Sequence, residues 1–143
     1  MNDKLYMKKT ILTALAVLVC LAAHAQYDKS IVIEQLLKTD TTSIGQKIVY
    51  PHYDNDQITV VRAIIPAGTS TGWHKHDFPL VAYVLKGTVT LETEDGRKLQ
   101  FNENASFVEM INIYHNGMNN GKEDVELFVV YFGGKEVPLS TRK

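Results

Sequence analysis

Two histidines one residue apart, His74 and His76, are the residues of this chain whose type and spacing best suit chemistry. They stand in the stretch GWHKHDFPLVAYVLKG, residues 72–87. Residues i and i+2 of a β-strand face the same way, so a strand here would present both imidazoles to one metal ion. His115 lies further along, and His52, within YPHYD, is expected in a surface loop. A His-x-His pattern alone is weak evidence, because two ordinary surface or core histidines also produce it.

The segments that must position these histidines have the composition of short β-strands separated by turns. Six strands are predicted, over Ile58–Ile65, Leu80–Leu85, Thr88–Glu94, Lys98–Phe101, Ala105–Ile113 (with a break near Asn112) and Glu126–Phe132. Asp95-Gly96 predicts a two-residue hairpin turn between the third and the fourth. Ser30–Lys38 fits a strand or a short helix, and the strand is favoured because residues 31–33 are β-branched. Many short strands at close spacing predict an all-β sandwich or barrel.

The N-terminal residues 1–25 have the features of a secretory signal peptide. Lys8-Lys9 form a basic start, and Ile11–Ala23 is an apolar run without charge. That run is shorter than the stretch of about 20 residues that spans a bilayer. Ala23-His24-Ala25 supplies the small residues that signal peptidase requires, which predicts cleavage before Gln26.

Cleavage there would leave one domain, residues 26–143, with its barrel core at about 58–133. We expect this protein to be exported, to a periplasm where the cell has one, and to have no membrane attachment after cleavage. Met7 is an alternative start. Two other interpretations stay open. The leader could be a buried first helix, or Cys20 could carry a lipid, although Val19 stands where lipoproteins usually have a small residue.

The composition excludes several classes of function. Cys20 is the one cysteine of the chain and lies within the expected leader. The remaining domain therefore has no disulfide scaffold, thiolate metal site or cysteine nucleophile. Lys and Arg number 15 against 16 Asp and Glu. Because no basic patch stands out, no nucleic acid partner is expected.

The spacing around the His-x-His pair is similar to the first motif of the cupin superfamily. That motif has glycine, five residues, His-x-His, three or four residues, glutamate, six residues and glycine. The corresponding positions here hold Gly68, His74, His76, Leu80 and Gly87. The glutamate position therefore holds Leu80, whose side chain cannot bind a metal ion.

The second cupin motif has glycine, five residues, Pro-x-Gly, two residues, histidine, three residues and asparagine. The corresponding positions hold Asn104, Met110, Asn112, His115 and Asn119. Asparagine tolerates positive φ better than most other non-glycine residues, so the turns at Asn104 and Asn112 are expected to persist. The resemblance runs across the expected barrel core. It implies a single-domain cupin β-barrel, which is a double-stranded β-helix or jelly roll.

The resemblance implies a metal site of three histidines, His74, His76 and His115, that lacks the usual glutamate. Cupins with three-histidine sites are known and include iron-dependent dioxygenases. Another carboxylate is the alternative. Asp77 adjoins His76 and should face away from it. Glu109 leads into His115, and could bind the ion, line the pocket or be an ordinary exposed or salt-bridged residue.

The pocket is expected to be lined by residues near these histidines in the sequence, each of which could instead be an ordinary core residue. They are Phe78, Leu80, Tyr83, Glu109, Met110 and Asn119. Trp73 and Tyr114 also adjoin histidines, but neighbours in a strand face opposite ways.

Three interpretations of function stay open. The first is a metalloenzyme, in its most concrete form a non-haem Fe(II) dioxygenase acting on a small enolic, phenolic or carboxylate substrate; an isomerase or lyase is the less favoured form. The second is a non-catalytic module that binds a metal or a small molecule. The third is that the histidines bind no metal. The cofactor expected is a divalent transition metal, Fe, Zn, Ni or Mn, with Fe favoured. The resemblance also implies a homodimer, to which Tyr27–Ile48 could contribute a crossing strand.

Overall fold

The computed structural model describes residues 30–143, and the chain divides into two compact units, Met1–Glu34 and Gln35–Lys143. The expected signal peptide and its cleavage site lie outside the described residues and stay predictions. Within residues 30–143, no helix is long and apolar enough to cross a membrane.

Nine strands build the described part of the second unit. They are β1 (Asp56–Ile65), β2 (His74–Lys75), β3 (Leu80–Lys86), β4 (Thr88–Thr93), β5 (Lys98–Asn102), β6 (Ser106–Val108), β7 (His115–Met118), β8 (Val125–Gly134) and β9 (Thr141–Arg142). A four-stranded sheet has the order β1-β8-β3-β6, and a five-stranded sheet has the order β5-β4-β7-β2-β9. All pairs between these strands are antiparallel. The strands confirm the all-β class predicted from the sequence.

Side chains alternate between the core and the solvent along the longer strands. In β4, Val89, Leu91 and Thr93 are buried while the residues between them are only half-buried, which is the period of a half-buried strand. Inward-facing residues of both sheets meet in one core cluster, whose buried members include Leu80, Val84, Leu91, Phe107, Met110, Leu127 and Val129. Burial of a side chain of this size contributes about 1.5–3 kcal/mol. This shared core therefore fixes the sheet faces that carry the histidines.

The prediction of a strand over Ser30–Lys38 was wrong. Residues 31–39 form neither a strand nor a helix, and the β-branched Val32 is 92% exposed. The next pairing along the chain is an isolated bridge between Thr41 and Lys47. A β-branched run forms a strand only where a neighbouring strand pairs with it, and no described strand does so here.

The hairpin between β4 and β5 lies where the sequence predicted it, but its loop has three residues rather than two. The Thr93 amide donates to the Arg97 carbonyl at 3.0 Å, and the Gly96 amide donates to the Thr93 carbonyl at 2.9 Å. These bonds leave Glu94, Asp95 and Gly96 in the loop. Gly96 has a φ of 83°, which is the left-handed residue that ends a three-residue hairpin loop.

The region predicted as one strand over Ala105–Ile113 is a three-residue strand, β6, followed by irregular chain. The break falls after Val108, earlier than the expected one near Asn112. Ile111 joins His76 in an isolated parallel bridge. The side-chain amide of Gln46 takes the place of a strand partner, because it accepts from the Ile111 amide and donates to the Ile111 carbonyl, both at 3.0 Å.

Two asparagines hold the turns at the ends of this region. Asn104 has a φ of 69° and Asn112 a φ of 57°. The structure thus confirms that asparagine keeps a left-handed backbone at the two positions where the second cupin motif has glycine. The Asn112 amide donates to the His76 carbonyl at 2.8 Å, which ties this turn to the histidine segment.

Candidate metal centre

Three imidazoles meet where β2 lies between β7 and β9. His74 of β2 is paired directly with His115 of β7, and their ring centroids are 4.5 Å apart. His76 follows β2, with its ring centroid 4.9 Å from that of His74 and 5.3 Å from that of His115. The structure thus brings together the three histidines that the sequence predicted as metal ligands.

Glu109 completes this cluster. Its Oε2 lies 2.9 Å from Nε2 of His115 and 3.2 Å from Nε2 of His76. The side chain of Glu109 is 10% exposed and that of His115 is fully buried. One ligand atom from each of His74, His76, Glu109 and His115 lies within 4.8 Å of the others. The group therefore has a carboxylate, although the glutamate position of the first cupin motif does not.

The register of two strands explains how Glu109 reaches the histidines. Val81 of β3 pairs with Val108 of β6. One residue further, the Glu109 amide donates to the Leu80 carbonyl at 3.3 Å. Residues opposite each other on antiparallel strands project to the same face, with Cβ atoms about 4.5–5.5 Å apart. A carboxylate at position 109 thus projects from the same side of the barrel as a side chain at position 80.

Backbone carbonyls orient all three imidazoles. Nδ1 of His74 lies 2.8 Å from the Gly72 carbonyl, and Nδ1 of His115 lies 2.9 Å from the Ile113 carbonyl. Nδ1 of His76 lies 2.6 Å from the carbonyl of Leu139. A carbonyl oxygen only accepts, so each Nδ1 carries the proton. In a neutral imidazole this leaves Nε2 with a free lone pair, the form that binds a metal.

The cluster is electrostatically strained without a cation. An unprotonated Nε2 and a carboxylate oxygen are both acceptors and repel each other at 2.9 Å, so a proton or a metal ion must lie between them. Burial alone would raise the pKa of Glu109, but hydrogen bonds from His115 and His76 outweigh burial and hold that pKa below its usual range. Burial would lower the pKa of His115, and the hydrogen bond to Glu109 reverses this and raises it. The pKa of His74 is lowered, mainly by burial, which keeps that imidazole neutral and ready to bind.

The donor set suits a divalent transition metal. Three imidazole nitrogens and one carboxylate oxygen match Zn²⁺, Fe²⁺, Ni²⁺ or Mn²⁺ better than the all-oxygen sites of Mg²⁺ or Ca²⁺. Two ligand atoms that are each about 2.1 Å from one ion lie at most about 4.2 Å apart. That separation applies only to ligands on opposite sides of the ion, and ligands of a tetrahedral ion are about 3.4 Å apart. Ligand atoms at the 4.8 Å limit of this cluster would therefore have to approach each other by about 0.6–1.4 Å, which two side chains share. The residues fit such an ion.

A cavity of about 70 Å³ lies among the four side chains. Its walls are apolar residues of β1, β4 and β8, together with two residues that carry hydroxyl groups, Thr71 and Tyr131. The Thr71 hydroxyl accepts from the Gly117 amide at 2.9 Å. Among the described residues, none hydrogen-bonds the hydroxyl of Tyr131. Burial, and next the charge of Glu109, raise the pKa of Tyr131 to about 12, so this hydroxyl stays protonated at neutral pH and can donate.

Tyr131 was missed by the sequence analysis. It lies directly opposite Leu80 on β8, and its ring centroid is 5.7 Å from that of His76. The signal was present in the alternation of β8, since Leu127 and Val129 face inward and Tyr131 is next in the same register. Its importance depends on the pairing of β8 with β3, which the sequence pattern does not give.

Of the residues predicted to line the pocket, only Glu109 lines this cavity. Leu80 and Met110 belong to the core cluster. Phe78 is buried against Gly133, which has no side chain that would clash with the ring, and it lies edge-on to Tyr131. These three side chains support the site from outside the cavity.

Tyr83 and Asn119 hold turns. The Tyr83 hydroxyl donates to the Asn104 side chain at 2.8 Å on the surface. The buried Asn119 side-chain amide donates to the carbonyls of Ile65 and Glu123, each at 2.8 Å. His52 is exposed and is not part of the metal-binding cluster, as expected for a loop residue.

The comparisons with known proteins agree with this architecture. Residues 61–131 match the family model described as Cupin domain. Together with the two antiparallel sheets, this match establishes an all-β cupin fold and supports a place for the chain in the cupin superfamily. No curated protein sequence matches the chain significantly.

Solved structures similar to this chain include lyases and a protein of undescribed activity. A structure of the DMSP lyases RdDddP and RnDddQII has a TM-score of 0.52 and 16% identity, over 60% of this chain and 44% of that one. The DMSP lyase DddQ from Ruegeria pomeroyi has a TM-score of 0.52 and 14% identity, over 60% and 43%. A conserved protein with a double-stranded β-helix domain from Klebsiella pneumoniae has a TM-score of 0.50 and 17% identity, over 66% and 91%. The chain spans less than half the length of the two lyases, and at these identities the likeness shows the fold alone.

Proposed function

We propose that this protein binds one divalent transition metal ion through His74, His76, Glu109 and His115. The observation that supports the proposal best is the convergence of the four ligand atoms, three of which belong to buried residues, with every Nδ1 already engaged by a backbone carbonyl. Histidines that only fill a core would not need a carboxylate between two Nε2 atoms. The three-histidine site expected from the sequence thus becomes, in this proposal, a site of three histidines and one glutamate.

The four ligands set the charge of the occupied site. One carboxylate offsets one of the two positive charges, and the neutral imidazoles offset none. A net positive site favours small anionic or oxygen-containing ligands at the open positions of the ion. A bound divalent ion would supply Lewis acidity toward an oxygen of such a ligand. Among Fe, Zn, Ni and Mn, the donor set admits all four.

A metal-dependent enzyme is the second candidate, and Tyr131 is the observation that favours it. Tyr131 lines the cavity together with Glu109, and its protonated hydroxyl has no protein acceptor in the described part of the chain. It is therefore placed to donate a hydrogen bond to an oxygen of a small substrate, while the apolar walls limit the access of water. The dioxygenase expected from the cupin resemblance, and the less favoured isomerase or lyase, remain forms of this candidate.

The size of the cavity restricts the substrate. About 70 Å³ is far below the 300–1,000 Å³ of a usual small-molecule pocket, and a water molecule takes about 30 Å³. A reacting group of only a few atoms therefore fits beside the ion. A second cavity of about 320 Å³ also has Tyr131 in its wall, together with Gln57, Thr59 and Lys135. We infer that any larger part of a substrate would occupy this outer cavity.

Elemental analysis of the purified protein tests the metal site. We expect a single Fe, Zn, Ni or Mn ion per chain, lost in the His74→Ala, His76→Ala double variant and kept in His52→Ala, which removes an exposed histidine outside the cluster. If the protein does not acquire metal during expression, anaerobic loading with Fe²⁺ allows it to bind the ion afterwards. Absence of metal from the unaltered protein, even after loading, would contradict the proposal.

Oxygen uptake by the Fe²⁺-loaded protein distinguishes the two candidates. Consumption of oxygen with a small enolic, phenolic or carboxylate compound, abolished by the double variant, would support the dioxygenase. Tight metal binding without turnover of any compound in such a panel would favour a binding module.

We also propose that the protein forms a homodimer through the outer face of its four-stranded sheet. Ile58, Val60, Ile64 and Phe128 project from this face and are 44–65% exposed. These apolar side chains surround the Arg62–Glu126 ion pair on the same face, and a group of exposed apolar residues is typical of an interface. Sedimentation should give a dimer, and Val60→Glu should give a monomer. Gln100→Glu, on the other sheet, should leave the dimer intact; a monomer for the unaltered protein would contradict the proposal.

Export is proposed from the leader alone. If it is correct, the protein recovered from outside the cytoplasm begins at Gln26 when its N-terminus is sequenced.

A further inference from the structure

The last residues of the chain pass over the histidine cluster. Residues 137–143, here called the C-terminal strap, follow the turn after β8 and contain β9. In β9, Arg142 pairs with His74 and Thr141 pairs with Lys75. The strap therefore forms the outer edge of the sheet beside β2, the short strand that carries the first metal ligand.

Several further contacts hold the strap in place. The Lys143 amide donates to the Trp73 carbonyl at 3.1 Å. The Lys143 ammonium lies 5.9 Å from the ring centroid of Trp73 and 5.8 Å from that of Tyr114, and it forms an ion pair with Glu94. Trp73 and Tyr114 thus lie on the face away from the metal cluster and serve as part of the anchor for the strap.

The three histidines differ in what orients them. His74 and His115 each use the carbonyl of a residue two positions earlier, Gly72 and Ile113. His76 uses the Leu139 carbonyl, which is 63 residues away in the chain and lies in the strap. Local chain geometry is therefore sufficient to set the tautomer of two of the imidazoles. The third depends on a contact that exists only when the strap is docked.

We propose that Leu139 is a positioning residue of the metal site, whose backbone carbonyl fixes His76 with its proton on Nδ1 and its Nε2 toward Glu109. This inference rests on the proposed metal-binding function and assigns it a dependence on the C-terminal strap. The partner of a metal-binding histidine holds both the tautomer and the ring orientation, and its loss typically lowers metal affinity by about 10–100-fold. Leu139 does not touch the ion and acts through His76.

Long-range ¹H–¹⁵N correlation spectra of the metal-free protein test the proposal directly, because they report the tautomer of each imidazole. The readout is the protonation of Nδ1, because Nε2 of His115 and of His76 can share a further proton with Glu109 when no metal is bound. In the full chain, Nδ1 of all three cluster histidines should carry a proton. In a variant that ends at Pro138, His76 alone should lose this preference, while His74 and His115 keep it and thereby show that the fold persists. Ser140→Ala, which changes an exposed side chain of the strap, keeps the Leu139 carbonyl and β9 and should match the full chain.

Titration with Zn²⁺ gives the second measurement. We expect the chain that ends at Pro138 to bind about 10–100-fold more weakly than the full chain. Thr141→Pro keeps the full length of the chain, but position 141 then has no amide proton to donate to the β9 ladder. This variant should alter the tautomer of His76 and weaken Zn²⁺ binding as the truncation at Pro138 does. This variant decides the matter if the truncated chain does not fold.

The outcomes separate the two proposals. An unchanged His76 tautomer in the folded truncated chain would overturn the role of Leu139, as would an equal change at all three histidines, which would indicate a general structural role for the strap. Failure of the full chain to bind any metal would contradict the metal site itself, and the spectra of the metal-free protein would still show whether Leu139 orients His76.

Discussion

Exchange of the two residues of the Leu80–Glu109 pair tests the proposed ligand set most directly. Glu109→Leu removes a carboxylate whose Oε2 lies 2.9 Å from Nε2 of His115 and 3.2 Å from Nε2 of His76. The double variant Leu80→Glu, Glu109→Leu returns one carboxylate to the position that holds glutamate in the first cupin motif. Composition and net charge of the double variant equal those of the unaltered protein.

The expected loss of affinity follows from the contacts. Removal of a group that only supports a ligand lowers metal affinity about 10–100-fold. Glu109 lies among the ligand atoms themselves, so Glu109→Leu should weaken binding by at least about 100-fold, or about 2.7 kcal/mol. The double variant should recover at least about tenfold of this loss, because positions 80 and 109 face the same side of the barrel.

The stability of the metal-free protein should respond differently. Glu109→Leu removes a buried charge, and His115, whose pKa Glu109 raises, can then become neutral, so the substitution leaves no unpaired charge on that residue. Replacement of buried ionic groups by apolar ones is often neutral or stabilising. We expect the free energy of unfolding to fall by less than about 1 kcal/mol or to rise. Leu80→Glu alone places a second carboxylate beside Glu109 and should destabilise the metal-free protein clearly.

Isothermal titration with Zn²⁺ measures the affinities, and urea unfolding of metal-free protein measures the stabilities. Glu92→Gln, which removes a carboxylate paired with Lys98 at the surface, is the control and should change neither strongly. Binding by Glu109→Leu as tight as that of the unaltered protein would refute Glu109 as a ligand and return the site to three histidines. A folded double variant with no recovery would refute the argument from cross-strand register.

Three further predictions concern single residues. The pKa of Asp95 is lowered from 3.8 to about 2, first by its hydrogen bond with Arg97. Its contribution to stability is therefore present above pH 4 and is lost as the pH falls from about 4 to about 2. The difference in unfolding free energy between the protein and Asp95→Asn should shrink over that range, and a constant difference would contradict this. A Cβ at position 133 would lie 2.8 Å from the Phe78 ring. Gly133→Ala should therefore lower the free energy of unfolding, measured by urea unfolding, by about 1–3 kcal/mol. An unchanged free energy would show that the ring moves aside freely. Tyr131→Phe should leave Co²⁺ affinity unchanged and weaken acetate binding to the Co²⁺-loaded protein about fivefold, as expected for the loss of one hydrogen bond. The visible spectra of bound Co²⁺ measure both affinities. Equal acetate affinities of the variant and the unaltered protein would refute the donor role of the hydroxyl.

The sequence by itself determined the features that depend on short stretches of chain. Alternation and β-branched composition predicted the strands now seen at Asp56–Ile65, Thr88–Thr93 and Val125–Gly134, because burial of one face of a strand repeats every two residues. Positive φ at Asn104 and Asn112 followed from the conformational tolerance of asparagine. The spacing of the histidines was sufficient to nominate His74, His76 and His115, since the motif spacing encodes which turns separate the strands.

Only the tertiary structure decided which side chains surround the histidines. Glu109 reaches them because β6 pairs with β3 in one register, and Tyr131 faces them because β8 pairs with β3 on the other side. A shift of either register by one residue would turn these side chains to the opposite face, and no local pattern fixes such pairings. The same holds for Leu139, whose carbonyl meets His76 only because β9 docks beside β2. Local periodicity places a residue on a face, whereas contacts between residues distant in the chain decide what that face meets.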